Sequence, residues 1–346
     1  MRRGLMAWDR DEIPPGAMEA RLERLRVEMK HDGLDAFVAY TNIARGAAVC
    51  WMTGFTPYWN EGLVLVGATG NPLFATALSK RVADWISSVM PLGDVETTPK
   101  PSGLIGSLIA KSGAKRIGIL ELDDFPAGHA QAILQSVEGL QLVDATATYA
   151  LARDAMDDVE LRLLATANRL AGASCAAAKV DAREARDFIA PPESVARLGG
   201  AEECFALVAQ DLSKSGAFLR TESLGALGET FAARVSLAYK GVWTRQTRSF
   251  ARDRAVQASF DKAALALEHF RPEAAASISD QIARSFGSLG RIVNWVAEQP
   301  RGSCPLAPVA DLANTPQAKV PATPFVLNLE LEIAGARWIG ARLTNL

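Results

Sequence analysis

The residues that raise a chemical question lie in RVSLAYKGVWTRQTRSF, residues 234–250. A turn at Tyr239-Lys240, followed by Gly241, folds this stretch into a β-hairpin with Arg234 and Arg245 directly opposite one another. Opposed side chains in an antiparallel pair have Cβ atoms roughly 5 Å apart, so like charges there repel. A guanidinium stays protonated at physiological pH, donates several hydrogen bonds and accepts none. Two of them pointing into one interior require counter-charge, because an unpaired buried charge is very costly. That counter-charge is either a carboxylate of the chain or the carboxylate or phosphate of a ligand, gripped by bidentate contacts. Arg248 adds to the same positive field, although strand alternation puts it on the other face.

Few other groups are equipped for chemistry. The three histidines, His31, His129 and His269, fall in or at the ends of expected helices, where surface or capping roles are expected rather than proton transfer. The cysteines Cys50, Cys175, Cys204 and Cys304 are scattered without metal-ligand spacing, which suits free, buried thiols in a reducing compartment. Cys204 opens an apolar run and is read as an inert core thiol. Tyr239 and Lys240 occupy the hairpin tip, a solvated turn. No Ser-His-Asp or Cys-His set is recognisable.

The elements that must position these residues follow from periodicity. MEARLERLRVEMKH, from Met18, has helical apolar spacing, and GLDAFVAY reads as a buried strand. GLVLVGA and NPLFATAL are strand-like, joined by the turn residues Thr69-Gly70-Asn71. Helix and strand then alternate to about residue 147, the pattern of an α/β layer structure. From Asp154 an alanine-rich amphipathic pattern with an acidic first turn begins, and a second helix runs from Ala182 to Leu198. ECFALVA, the arginine hairpin, helices over Asp253–His269 and Ala275–Phe286, and the strands FVLNLELEIAG and RWIGARLTNL complete the chain. The change of composition near residue 150 divides it into expected domains over 1–150 and 151–346.

At 346 residues with a formal net charge of −2, the chain is long enough for two domains and carries no basic bias toward nucleic acid. No apolar run approaches the ~18 residues of a membrane span. The N-terminal stretch MRRGLMAWDRDEIPP lacks the apolar region of a secretory leader. A cytoplasmic protein without nucleic-acid or membrane partners is expected.

The order of elements resembles the creatinase and aminopeptidase P group, whose catalytic half has the "pita-bread" fold of methionine aminopeptidase. TNIARGAAVCWMTGF is similar to that group's stretch ending in "YLTGF", with Met52-Thr53-Gly54-Phe55 at the match. ARDAMDDVELRLLATANRLA, HFRPEAAASISD and FVLNLELEIAGARWIGARLTN resemble its "R-x-x-K-x-x-x-E" helix, "I-R-P-G-x-T" junction and "F-T-x-E-P-G…G-V-R-I-E-D" ending. The resemblance implies an α/β (α+β) protein: a creatinase-type N-terminal domain followed by a pita-bread domain.

Metallopeptidases of this group hold two divalent cations with two aspartates, a histidine and two glutamates. Gly228-Glu229 upstream and Thr247-Arg248 downstream set a register in which Arg234 and Arg245 replace the two aspartates. The histidine position falls on Gly290, the second glutamate on Thr344, and a substrate-side histidine on Ala297; Glu330 alone matches a ligand. The resemblance therefore implies a degenerate member with no metal and no cofactor. Glu330 is the remaining candidate acid or base, and Arg234, Arg245, Arg248 and Arg342 form the candidate anion-binding set. Trp59, in GFTPYWNE, is a further candidate, since in related dimers the first domain reaches over the partner's cleft.

Two readings of the arginines stay open and can coexist. In one, Glu330, helped by Glu332 or Glu298, pairs with them and plugs the cleft. In the other, an arginine remains available to a small anionic metabolite whose C–N bond is held or hydrolysed without metal. A catalytically dead pseudo-peptidase acting as an interaction or regulatory homodimer is the alternative function.

Overall fold

The computed structural model describes residues 9–42, 44–55, 61–220, 225–302 and 304–346, without the side chains of Pro15, Arg301, Cys304 and Pro305. The chain divides into two compact units, one of residues 2–159 with 300–305, the other of 160–299 with 306–346.

The N-terminal unit is built on six strands: β1 (Ala36–Thr41), β2 (Gly62–Gly67), β3 (Leu73–Thr76), β4 (Asp94–Thr97), β5 (Arg116–Ile119) and β6 (Gln141–Asp144). Their order is β4-β3-β2-β1-β5-β6, with β1 parallel to β5, β5 to β6 and β3 to β4, and β2 antiparallel to β1 and β3. The β1 sequence AFVAYT is apolar at nearly every position because helices cover both of its faces. On one face Phe37 and Ala39 pack with Leu22, Leu25 and Met29 of α1 (Pro15–His31) and with Tyr149 of α6 (Thr146–Asp154). On the other, Val38 packs with Ile105 and Ile109 of α4 (Pro101–Ser112) and Ile133 of α5 (Ala127–Leu134). Helix α2 (Ala47–Thr53) carries the Met52-Thr53-Gly54-Phe55 stretch and ends at Gly54 with φ 73°. A side chain at Gly54 would be strained there and would lie 2.4 Å from Pro91, so glycine is required. Between Gly54 and β3, residues Tyr58 and Trp59 lie outside the described residues.

The second unit is one antiparallel sheet with helices on one side. Its strands are β7 (Glu203–Ala209), β8 (Thr230–Tyr239), β9 (Val242–Ala251), β10 (Arg291–Arg301), β11 (Cys304–Asp311), β12 (Phe325–Ile333) and β13 (Ala336–Thr344), ordered β11-β10-β12-β13-β9-β8-β7. Sequence reading did not assign β10 and β11, although the run IVNWVA inside β10 is strand-like. The expected helices appear as α7 (Asp158–Ala176), α8 (Ala185–Leu198), α9 (Arg254–His269) and α10 (Ile278–Phe286).

Alternation sorts the strand residues. Phe231, Ala233, Val235 and Leu237 of β8 pack against α7 and α8, while Leu327, Leu329 and Leu331 of β12 pack against α9 and α10. The intervening residues of the same strands face the other side of the sheet and carry its polar groups. Small residues Ala167, Ala171 and Gly172 let α7 lie close to the sheet, where the Cβ position of Gly172 is 3.4 Å from Gln246.

Candidate anion site

The arginine hairpin forms, in a register shifted by two residues from the sequence expectation. Tyr239 pairs with Val242, so Lys240 and Gly241 are the turn, with φ 46° and 82°. Two successive positive φ angles make a type I′ turn, which matches the twist of the strands and favours glycine at its second central position. Arg234 therefore faces Thr247, and Arg245 faces Ser236. The direct opposition of like charges does not occur. A shift of two preserves the face, however, so both guanidiniums still project from the side of the sheet away from the helices.

Each arginine uses its new neighbour. Arg234 Nε donates to Thr247 Oγ1 at 3.1 Å, and Arg245 Nε donates to Ser236 Oγ at 2.9 Å. Beyond these bonds their environments diverge. Arg245 Nη1 donates to Glu298 Oε2, and Asn328 Nδ2 donates to the same carboxylate oxygen at 2.8 Å. This pair is mostly sheltered, the side chains being 19% and 10% exposed. Arg234 makes no ion pair among the described residues. The ring of Phe218, in the loop after β7, lies under its guanidinium at 3.9 Å. Burial and the nearness of Arg245 push the Arg234 pKa down to about 10, with the Glu298 carboxylate opposing them in part, so Arg234 remains cationic at neutral pH.

The two arginines line one cavity of about 410 Å³ with Glu298, Asn328 and Glu330, walled by Phe218, Val296, Pro308 and Ile339. Glu330 is placed here as expected, but it does not pair with Arg234 or Arg245. Its carboxylate is 3.0 Å from Arg337 Nε, which reaches it within the β12–β13 hairpin. Glu332, the other expected helper, pairs with Arg291 at 3.0 Å. Among the described residues Glu298 is the carboxylate that pairs with Arg245, and it offsets the charge of Arg234 only in part and without an ion pair.

Arg248 and Arg342 do not join this site. Alternation turns both to the helix side, where they line a separate cavity of about 610 Å³ between α7 and α9. There Arg248 lies 3.5 Å from Asp261, and Arg342 lies 3.3 Å from Glu268. Trp59 lies outside the described residues. Thr344 buries its hydroxyl by donating to the Phe325 carbonyl at 3.0 Å.

Sequence reasoning missed Phe218 and Asn328. Phe218 sits in a loop with no periodicity to announce it, and Asn328 is the uncharged member of the polar series Asn328, Glu330 and Glu332 that alternates with apolar residues along β12. The histidines stand elsewhere. His31 and His129 belong to the N-terminal unit, and His269 Nδ1 is 2.9 Å from the Leu265 carbonyl at the end of α9. Burial raises the thiols of Cys175 to about 12 and Cys204 to about 11, well away from the thiolate form that reacts.

A divalent-metal pair needs several anionic oxygens or neutral imidazoles around one point. This cavity presents two guanidiniums, the amides of Asn294 and Asn328, and two carboxylates already engaged by arginines. Among the described residues no group of three or more His, Cys, Asp or Glu side chains is placed to hold a metal ion. The donor set does not fit a dinuclear centre.

Comparison with known proteins covers both units. Residues 21–154 match the Creatinase/Prolidase N-terminal domain. The fold is similar to that of an Xaa-Pro dipeptidase from Bacillus anthracis, with TM-score 0.69, 16% identity and coverage of 94% of this chain and 97% of that one. A prolidase from Pyrococcus horikoshii OT3 gives TM-score 0.70 at 12% identity over 93% of this chain and 94% of its own. An X-Pro aminopeptidase from Thermotoga maritima MSB8 gives 0.69 at 14% identity over 94% and 97%. Among curated proteins, none matches the sequence.

Proposed function

We propose that this chain, which belongs by its N-terminal domain and its fold to the creatinase/aminopeptidase P pita-bread superfamily, works without a divalent metal and binds a small anionic metabolite at Arg234. The observation that carries the reading is the asymmetry of the cavity: Arg245 is paired with Glu298, whereas the partly buried Arg234 forms no ion pair among the described residues. A cation held out of water without a partner is costly, and a ligand carboxylate removes that cost on binding.

Binding is favoured over C–N hydrolysis by the same geometry. Hydrolysis needs a group free to take and return a proton. Glu298 and Glu330 are each held by a guanidinium, and no histidine is among the residues that line the cavity. Glu330 thus acts as a charge partner for Arg337. The ancestral dinuclear peptidase reaction is lost because arginines stand where aspartate ligands would be needed.

A thermal-shift screen of small carboxylates and phosphates tests this. The expected result is a clear stabilisation by at least one anion, following mass action with concentration and absent in Arg234→Ala. No response to any small anion, together with dimerisation in sedimentation, contradicts ligand binding and leaves the interaction role.

A further inference from the structure

We propose that the cavity selects a single carboxylate carried on a compact apolar body, in preference to dianions and to small hydrophilic acids; this deepens the anion-binding reading and rests on it. Among the described residues of the cavity and its immediate ion pairs, Arg234, Arg245 and Arg337 meet Glu298 and Glu330. Three guanidiniums against two carboxylates leave one positive charge, located on Arg234. A monoanion neutralises the site, while a second negative charge on the ligand faces carboxylates already in place. Like charge brought into a desolvated site is strongly disfavoured.

Only part of the Arg234 guanidinium is available to a ligand. Its Nε is spent on Thr247, and Phe218 covers one face of the guanidinium plane. Neither Nη1 nor Nη2 has a hydrogen-bond partner among the described residues. That leaves the end of the fork, whose two parallel N–H groups match the two oxygens of one carboxylate. Arg245 already has its charge matched by Glu298, with Nε on Ser236 and Nη1 on Glu298.

A volume of about 410 Å³ exceeds what one carboxylate fills, and its remaining walls include Phe218, Val296, Pro308 and Ile339. A ligand with an apolar body removes those walls from water, a gain that acetate does not provide.

Calorimetric titration of the full chain near neutral pH with phenylacetate, acetate, phenyl phosphate and phenylacetamide separates these points. The expected order has phenylacetate tighter than either phenyl phosphate or acetate by about tenfold or more, with phenylacetamide silent. Phenyl phosphate binding as tightly as phenylacetate overturns the charge count, yet leaves an anion site standing if Arg234→Ala abolishes both. Acetate matching phenylacetate overturns the apolar body on the same terms. Silence from every anion removes the anion-binding reading and this inference together. In Glu298→Gln, which releases Arg245, phenyl phosphate should gain about tenfold relative to phenylacetate; an unchanged preference overturns the proposal. Circular dichroism establishes that this variant folds, and Glu330→Gln, which releases Arg337, replaces it if it does not.

Discussion

Arg245 and Arg248 lie on the same strand, yet one is 19% exposed and bound to the sheltered Glu298, while the other is 44% exposed and faces an open Asp261. Arg234 and Arg342 differ likewise: one forms no ion pair among the described residues, and the other meets the half-exposed Glu268. What separates the members of each pair is strand alternation, which sends them to opposite faces of the sheet. Arg248 sits in water that screens it and Arg342 meets a half-exposed carboxylate, so their ion pairs contribute little. The arginines on the other face are partly buried, so the presence or absence of one paired carboxylate matters more to what each can do. Identical side chains are therefore a surface feature on one face and the proposed anion receptor on the other.

The largest effect that follows is on Glu298. Glu298→Ala strands Arg245 in a sheltered cavity and should cost about 3 kcal/mol, read as a lower urea midpoint with unchanged slope. A negligible change would mean that Arg245 is hydrated and that the two faces do not differ.

The hairpin tip offers the mirror image of Arg234, a buried carboxylate. Glu202 accepts a hydrogen bond from the Lys240 backbone N–H, its second oxygen is buried without a hydrogen-bond partner among the described residues, and burial raises its pKa from 4.5 to about 7. The folded chain then holds this proton more tightly than the unfolded chain. The associated stability is fully present below about pH 4.5 and is lost as pH rises through about 7. Glu202→Gln should flatten that decline, by on the order of 2 kcal/mol across the window, in unfolding measured at several pH values. An unaltered pH profile would place the carboxylate in water.

Arg234→Met should leave stability unchanged or raise it by about 1 kcal/mol, because an unpaired enclosed cation gives way to an apolar chain of similar length. Anion binding should vanish in the same variant. A large loss of stability would show that a carboxylate does serve Arg234. At the small end, Arg248→Ala and Arg342→Ala should each cost about 0.5 kcal/mol or less and leave anion binding intact.

Much of this contrast was legible in the sequence. Alternation placed Arg248 away from Arg245, and the arginine positions argued against metal ligation before any geometry was known. The sharing of a face by Arg234 and Arg245 survived a wrong turn assignment, because an error of two residues does not change which side a strand residue faces. The turn itself could have been read correctly, since Lys240-Gly241 places glycine where a type I′ turn asks for it. Partner choice was not legible. Glu330 and Glu298 are equally acidic in the sequence, and only the β10–β12–β13 register gives Arg337 to one and Arg245 to the other. Phe218 was invisible for the same reason: a loop residue reaches its cation through tertiary folding alone. In the N-terminal unit, by contrast, the buried strands announced themselves through unbroken apolar runs, since both faces of that sheet are covered.

The central claim is that a cavity lined by Arg234 and Arg245 prefers negative species to divalent cations. Equilibrium dialysis of the purified chain against Mn²⁺ and against phenylacetate, in the same buffer, tests it most directly. The account predicts retention of phenylacetate that disappears in Arg234→Met, with no Mn²⁺ held at the cavity. Stoichiometric Mn²⁺ that is released by Glu298→Gln, with phenylacetate unbound, would contradict it.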